Sequence, residues 1–587
     1  MMKERISSLR AALRTQGLDG FIQPRNDEFL GEYVPDSAAR LAWLTGFTGS
    51  AGVAIVLADK AAVFSDGRYT LQLESQTDPA IWERHHITET PPETWLRAEA
   101  PNARIGYDPW LMSANHVATF SDAGITMVPI ANPIDRFWND RPAPPAAVAT
   151  PHPIAFAGES AAAKRHRIAA LIAADGADAV LLTDPHAVAW LFNLRGADLP
   201  HTPVALCFAL LRRDSSAVIF IDPEKIPPAT AVHLGGSVTI VARDALADTL
   251  ATLRGKRIRL DPATAPIRLT QILGDAGAIT VSGDDPCVLP RAMKNPVEQE
   301  GARAAHVRDG AAMCRFLAWF ASTAPDGTLT ELSAAAMLRH FRSAAADFRA
   351  ESFNPISGAG EHGAIIHYAA DDASNRGIHR NEVYLIDSGG QYPDGTTDIT
   401  RTLWTGPDAP PALIRDRFTR VLAGHIALAR AQFPTGTTGP QLDVLARTPL
   451  WEAGLDFDHG TGHGVGSYLS VHEGPVSFHK RAKPVPLAPG MILSDEPGYY
   501  EPGAFGIRLE NLLLVVAAST TSRPFLAFET LTLAPFARAM IDPALLPAAS
   551  IAWLDAYHAR VDAVIGPRVD AATRAWLATA CAPLTRD

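Results

Sequence analysis

The stretch Val383-Tyr-Leu-Ile-Asp387, the turn signals Ser388-Gly-Gly390 and Pro393-Asp-Gly395, and then Asp398-Ile-Thr-Arg-Thr-Leu403 form the most informative run in the chain. Alternation with a period of two puts Val383, Leu385 and Asp387 on one face of a strand. The glycine- and proline-rich turns send the chain back, so a second strand lays Asp398 beside Asp387. Two carboxylates held together cannot both stay ionised without a cation between them. A metal ion accounts for both.

Downstream, three more groups of metal-ligating type stand in settings that suit the same purpose. His459-Gly-Thr-Gly-His463-Gly-Val-Gly466 has two histidines at the spacing of a helical zinc site, but its alternate glycines make a helix costly, and a tight loop is expected. It lacks the Lys-Ser/Thr ending of a phosphate loop and the dinucleotide spacing. Such a loop lets backbone approach closely while presenting a histidine, as a metal ligand or a substrate-binding wall. Asp495-Glu496-Pro497-Gly498-Tyr499-Tyr500 places a carboxylate before a turn, and Phe505-Gly-Ile-Arg-Leu-Glu-Asn-Leu-Leu-Leu-Val-Val516 reads as one strand with Arg508, Glu510 and Leu512 on one face. An acid on an apolar strand is costly to bury unless paired or metal-bound. The alternative is an Arg508–Glu510 surface pair. Taken together, Asp387, Asp398, His463, Glu496 and Glu510 are an oxygen-rich donor set suited to Mn²⁺, Mg²⁺ or Co²⁺ rather than to structural Zn²⁺. Four carboxylates exceed the need of one divalent ion, and a pair about 3.5–4 Å apart satisfies the charge.

The whole chain bounds the function class. Its 587 residues exceed one hydrophobic core, so several domains are expected. A net charge of −11, spread along the sequence, argues against nucleic acid as main partner. No segment approaches a membrane span, and the charged start Met1-Met-Lys-Glu-Arg5 is unlike a signal peptide. Cys207, Cys287, Cys314 and Cys581 form no close pair, which fits a reducing cytoplasm and four buried small apolar side chains.

The clearest linker is Arg141-Pro-Ala-Pro-Pro-Ala-Ala-Val-Ala-Thr-Pro-His-Pro153. On either side the sequence repeats itself: Gly17-Leu-Asp-Gly-Phe-Ile22 with Leu41-Ala-Trp-Leu44 before it, and Gly176-Ala-Asp-Ala-Val-Leu181 with Val188-Ala-Trp-Leu191 after it. Two copies of one α/β unit are expected. A new helix is announced by Asn295 as N-cap, Pro296 at its first position and Glu298 three residues past the cap. The boundaries expected are 1–150, 151–290 and 291–587. The last domain holds every candidate ligand and ends in helices such as Ile551–Ile565, whose Ile551, Leu554, Val561 and Ile565 recur at core-packing spacing.

These motifs carry a resemblance. The five ligands in their order, together with Gly363-Ala-Ile-Ile-His-Tyr368, Asp394-Gly-Thr-Thr-Asp-Ile-Thr-Arg401, Val471-His-Glu-Gly-Pro475 and Asp495-Glu-Pro-Gly-Tyr-Tyr500, resemble the three-domain Xaa-Pro aminopeptidases (aminopeptidase P) of the pita-bread metallopeptidase family. Gly46-Phe-Thr-Gly-Ser-Ala-Gly52, Ser65-Asp-Gly-Arg-Tyr69 and Ala189-Trp-Leu-Phe-Asn-Leu-Arg195 extend it to nearly the full length. The resemblance implies an α/β and α+β multidomain chain, with two related creatinase-like N-terminal domains before a pita-bread catalytic domain. It implies a dinuclear centre in which Asp398, His463 and Glu510 hold one ion and Asp387, Asp398, Glu496 and Glu510 the other, with Mn²⁺ first and Co²⁺ or Zn²⁺ as alternatives. It implies that Glu496 shuttles the proton of the attacking water and His472 stabilises the oxyanion. His367 and His459 bind substrate or handle protons, and Arg508 orders the carboxylates and residues around the substrate. Tyr500 is equally a wall of the proline pocket or core.

The expected reaction is release of an N-terminal residue that precedes proline. The bond before proline is a tertiary amide without an N–H, so its site needs no partner there and must admit a pyrrolidine ring. The family resemblance also implies a homodimer acting on short peptides. A prolidase cutting Xaa-Pro dipeptides would share the ligands, although the two N-terminal modules favour the aminopeptidase. A non-catalytic peptide-binding scaffold is disfavoured by the intact ligands.

Overall fold

The computed structural model describes residues 2–518 and 523–584. The chain divides into two compact units, one of residues 1–154 and 159–288 and one of residues 155–158 and 289–587.

The first unit contains the two copies read from the sequence. Each begins with an amphipathic helix, Met2–Thr15 or Ala161–Ala174, that leads into a central strand, Gly20–Pro24 or Ala179–Leu182. Each copy has six strands, the central one being the first. Numbered within their own sheet, they lie in the order 4-3-2-1-5-6 in both. Their directions also agree: the central strand is antiparallel to the second and parallel to the fifth in each copy. The two sheets are tied within the unit by Ile267 N–H donating to Met112 O and by the bridge between Ser113 and Pro266. The proline-rich linker is not wholly irregular, as its composition predicts, but ends in a short strand. Thr150–Pro151 pairs with Leu194–Arg195, because a proline at a two-residue edge loses no ladder bond that solvent would not replace.

The second unit opens with a 28-residue helix, Pro296–Thr323, whose Asn295 and Glu298 form the predicted capping box. Its inner face packs Met313, Phe316 and Phe320 against Tyr384 and Ile386, the Phe320 and Tyr384 rings stacking at 4.7 Å. Strand Val383–Ser388 lies between Ile356–Ala359 and Ile399–Trp404, antiparallel to both. The expected single strand 505–516 is broken. Phe505–Arg508 pairs with Gly498–Glu501 in one small sheet, whereas Asn511–Ala517 pairs with Ile492–Asp495 and Phe525–Thr530 in another. The chain passes between sheets at Leu509–Glu510, where Leu509 N–H finds Pro497 O and Glu510 N–H finds Thr400 O. Helices Ala548–Ile565 and Ala571–Ala580 close the unit with Leu554, Val561, Ile565 and Leu577 in its core.

All four cysteines are buried free thiols. Among the described residues, no helix is long and apolar enough to cross a membrane.

Candidate active site

The antiparallel register sets Asp387 opposite Thr400, so Asp398 falls just before its strand, beyond the last paired residues. The intervening chain folds back through a hairpin in which Gly390–Tyr392 pairs with Gly395–Thr396. Both carboxylates are buried within repelling distance of each other. Burial, then the Asp387 and Glu496 charges, push the Asp398 carboxyl well above the usual carboxylate range.

His463 arrives on the glycine-rich loop. Gly462 and His463 form a two-residue strand against Ser477–Phe478, and the glycines are required by contact. A Cβ on Gly462 would lie 1.9 Å from Ser494 O, and one on Gly464 2.1 Å from Glu473 O. His463 Nδ1 faces Gly464 O at 3.0 Å, which assigns the proton to Nδ1 and turns the Nε2 lone pair toward Asp398 Oδ2 at 3.6 Å and Glu496 Oε1 at 3.4 Å. Asp398, His463 and Glu510 each offer a ligand atom within 4.8 Å of the others.

Glu496 sits between strands, where Ser494 Oγ donates to its Oε1 at 3.1 Å. Burial pushes its carboxyl up to about 7, with the Asp387 charge adding and Arg508 opposing. Glu510 accepts from Thr400 Oγ1 at 2.8 Å, and burial together with Asp398 and Glu496 raises it well above its ordinary value.

Arg508 faces this group. Its Nη2 donates to Asp387 Oδ2 at 2.7 Å and its Nη1 to Tyr500 Oη at 2.8 Å. Tyr500 Oη lies 2.8 Å from His459 Nε2, whose other nitrogen faces Gly460 O at 2.7 Å. With the His459 proton on Nδ1, Tyr500 must donate to Nε2 and accept from Arg508. The proton order along Asp387–Arg508–Tyr500–His459 is thereby fixed. Arg508 and Glu510 are not the surface pair considered as an alternative, since both are buried.

His472 is brought to His463, the rings meeting edge to face with centroids 4.4 Å apart. The adjoining Glu473 is buried and held by Lys294 and by Arg291 at 3.2 Å. His367 is half-buried in the turn after Gly360–Ala364. That loop packs on the strand bearing Arg508, because a Cβ on Gly506 would lie 1.7 Å from Gly363 O. It is also wrapped around Glu331, whose buried carboxylate accepts from Ala359 N–H at 2.8 Å and Tyr368 Oη at 2.9 Å and faces His362 Nδ1 at 2.9 Å.

The sequence reading omitted Thr400 and Ser494. Each stands on a strand two residues from a ligand just beyond its end, and that spacing is the signal that finds them.

The donor set fits divalent metal. Asp387 Oδ1, Asp398 Oδ1 and Glu510 Oε1 are buried and have no hydrogen-bond partner among the described residues. One guanidinium faces four carboxylates, and each unsatisfied oxygen would be costly without a cation. The site is a candidate divalent-metal centre built on carboxylates from separate segments of the chain.

Comparison with known proteins agrees. Residues 300–517 match the model of metallopeptidase family M24, and 524–584 the C-terminal region of that peptidase. Residues 5–137 and 140–298 each match a creatinase/prolidase N-terminal domain. The chain is 38% identical over 611 residues to a probable Xaa-Pro aminopeptidase P of Aspergillus flavus, covering 99% of this chain and 93% of that one. It is 36% identical to aminopeptidase P2 of Arabidopsis thaliana, covering 100% of this chain and 89% of that one. A crystal structure of X-prolyl aminopeptidase from Caenorhabditis elegans, described as a cytosolic enzyme with a di-nuclear active site, superposes over 100% of both chains with a TM-score of 0.94 at 33% identity. The chain belongs to metallopeptidase family M24, in its three-domain aminopeptidase P branch, with two creatinase-like domains ahead of the pita-bread domain.

Proposed function

We propose that the protein is a metal-dependent aminopeptidase that hydrolyses the bond between an N-terminal residue and a following proline. The observation that carries this reading is the convergence of Asp398, His463 and Glu510 ligand atoms within 4.8 Å, with Asp387 and Glu496 beside them. In this reading Asp398, His463 and Glu510 would hold one ion and Asp387, Asp398, Glu496 and Glu510 the other, with Mn²⁺ as the resident metal. When bound, the ions acidify a water and polarise the scissile carbonyl.

The remaining chemistry belongs to the chain. Glu496 receives the proton of the attacking water and returns it to the departing proline nitrogen, a task suited to a carboxyl that Ser494 orients. His472, edge-on to His463, donates to the oxygen of the carbonyl under attack. Arg508 holds Asp387 and Tyr500 in place. Tyr500 and His459 line the pocket for the pyrrolidine ring, and His367 binds the peptide from the loop held by Glu331. The division at about residues 150 and 290 is supported by the two repeated sheets and the capping box at Asn295. A cytoplasmic homodimer completes the reading.

A panel of Xaa-Pro, Xaa-Pro-Yaa and Xaa-Ala-Yaa peptides tests the proposal after metal removal and defined Mn²⁺ addition. Hydrolysis of Xaa-Pro-Yaa above both others is expected. Preference for the Xaa-Pro dipeptide would make the enzyme a prolidase, and hydrolysis of none would return the non-catalytic reading.

A further inference from the structure

Two of the proposed ligands, Glu496 and Glu510, lie where strands end, outside any regular ladder. Their backbones must be fixed by something else. Glu510 N–H donates to Thr400 O at 3.2 Å, and its carbonyl accepts from Arg401 Nη1 at 2.7 Å. The same Nη1 also binds Thr400 O at 2.9 Å, so one guanidinium nitrogen spans the two ligand-bearing segments.

Arg401 follows Thr400 on its strand, and alternation sends the two side chains to opposite faces. Thr400 meets the Glu510 carboxylate, and Arg401 enters the core, where it is fully buried. Its other bonds go to Pro535 O at 3.0 Å, Ala534 O at 2.7 Å, Asn511 Oδ1 at 2.9 Å and Tyr557 Oη at 3.2 Å. Every acceptor is an uncharged oxygen. A guanidinium buried among uncharged acceptors costs free energy that an apolar side chain of similar volume would avoid, and the Phe536 ring 4.2 Å beneath it offsets only part of that cost.

The network continues to the third ligand-bearing segment. Asn511, its Oδ1 committed to Arg401, points its Nδ2 at His425 Nε2, 3.1 Å away, and His425 Nδ1 faces Asp495 O at 3.0 Å. Asp495 precedes Glu496. Tyr557, on the C-terminal helix Ala548–Ile565, anchors the other end: its hydroxyl also meets Ala534 O at 2.8 Å and Thr532 O at 3.1 Å, while its ring stacks on Trp553.

We infer that Arg401 and Tyr557 are positioning residues for the metal centre, through which the helix Ala548–Ile565 sets the backbone of Glu510 and the strand following Asp398. The inference rests on the ligand assignment proposed above. It makes the helix Ala548–Ile565 part of the support of the site.

The test uses the full chain, stripped of metal and titrated with Mn²⁺ alone by calorimetry, together with apo-protein melting. Tyr557→Phe keeps the ring and removes the hydroxyl. It is expected to weaken Mn²⁺ binding on the order of 10-fold, within the range for groups that orient ligands. Leu577→Ala, a core truncation in the neighbouring helix, is expected to lower the melting temperature and leave Mn²⁺ affinity unchanged. Arg401→Lys, which keeps the charge but reaches fewer acceptors, is expected to resemble Tyr557→Phe. Wild-type Mn²⁺ affinity in folded Tyr557→Phe and Arg401→Lys would overturn the inference, whatever their melting temperatures. Wild-type affinity in Glu510→Gln would instead overturn the ligand assignment, and this inference with it.

Discussion

Arg508 Nη2 donates to Asp387 Oδ2 at 2.7 Å, joining two buried residues from strands of different sheets, and the same guanidinium holds Tyr500. Burial works against the Arg508 charge, but Tyr500 and Asp387 more than offset it and keep it firmly protonated. One side chain therefore orders a carboxylate on one side and the Tyr500–His459 pair on the other.

Substituting Arg508→Lys keeps the charge and loses the fork that reaches both partners. A fall in kcat/KM on the order of 10–100-fold is expected, with the protein folded and two ions still bound at saturating Mn²⁺. Circular dichroism and steady-state kinetics check this. Unchanged kinetics would remove Arg508 from the site's ordering.

The substitution Glu496→Gln keeps shape while removing a charged ligand and a proton acceptor. The rate constant is expected to fall by about 10²–10⁴, the range of a general acid–base contribution. Near wild-type turnover with unchanged metal content would show that Glu496 has neither role.

For His472→Ala, the loss is expected in kcat rather than KM on Xaa-Pro-Yaa peptides, by about 10²–10³-fold, as for deletion of an oxyanion donor. A raised KM at unchanged kcat would instead make His472 a residue that positions substrate.

The Gly506→Ala variant tests the packing beneath the site. Its Cβ would meet Gly363 O at 1.7 Å, so the strand bearing Arg508 or the loop bearing His367 must shift. A loss of about 1–3 kcal/mol in stability is expected, together with lower activity. Gly236→Ala, with nothing within 4 Å, is the control and should be neutral or slightly stabilising in urea denaturation.

Much of this architecture was legible in the chain because its signals are local. The capping box at Asn295 involves residues three apart, Asp387 and Asp398 are separated only by a short hairpin, and the repeat announces two like sheets. The break at Leu509–Glu510 was not legible, since alternation reads smoothly through it and only the partners of each half show that the strand changes sheets. The Arg401–Tyr557 contact links residues 156 positions apart, and neither residue type advertises the other. Glu331 reads as an ordinary helix start until the loop at 359–376 is seen to close around it.

The central claim is that hydrolysis depends on two divalent ions held by Asp387, Asp398, His463, Glu496 and Glu510. Its most direct test is activity on an Xaa-Pro-Yaa peptide as Mn²⁺ is added to chelated protein, with metal content measured in parallel by elemental analysis. The predicted result is no hydrolysis in the metal-free protein and full activity only as the content approaches about two ions per chain. Full activity in protein verified to be metal-free would contradict it.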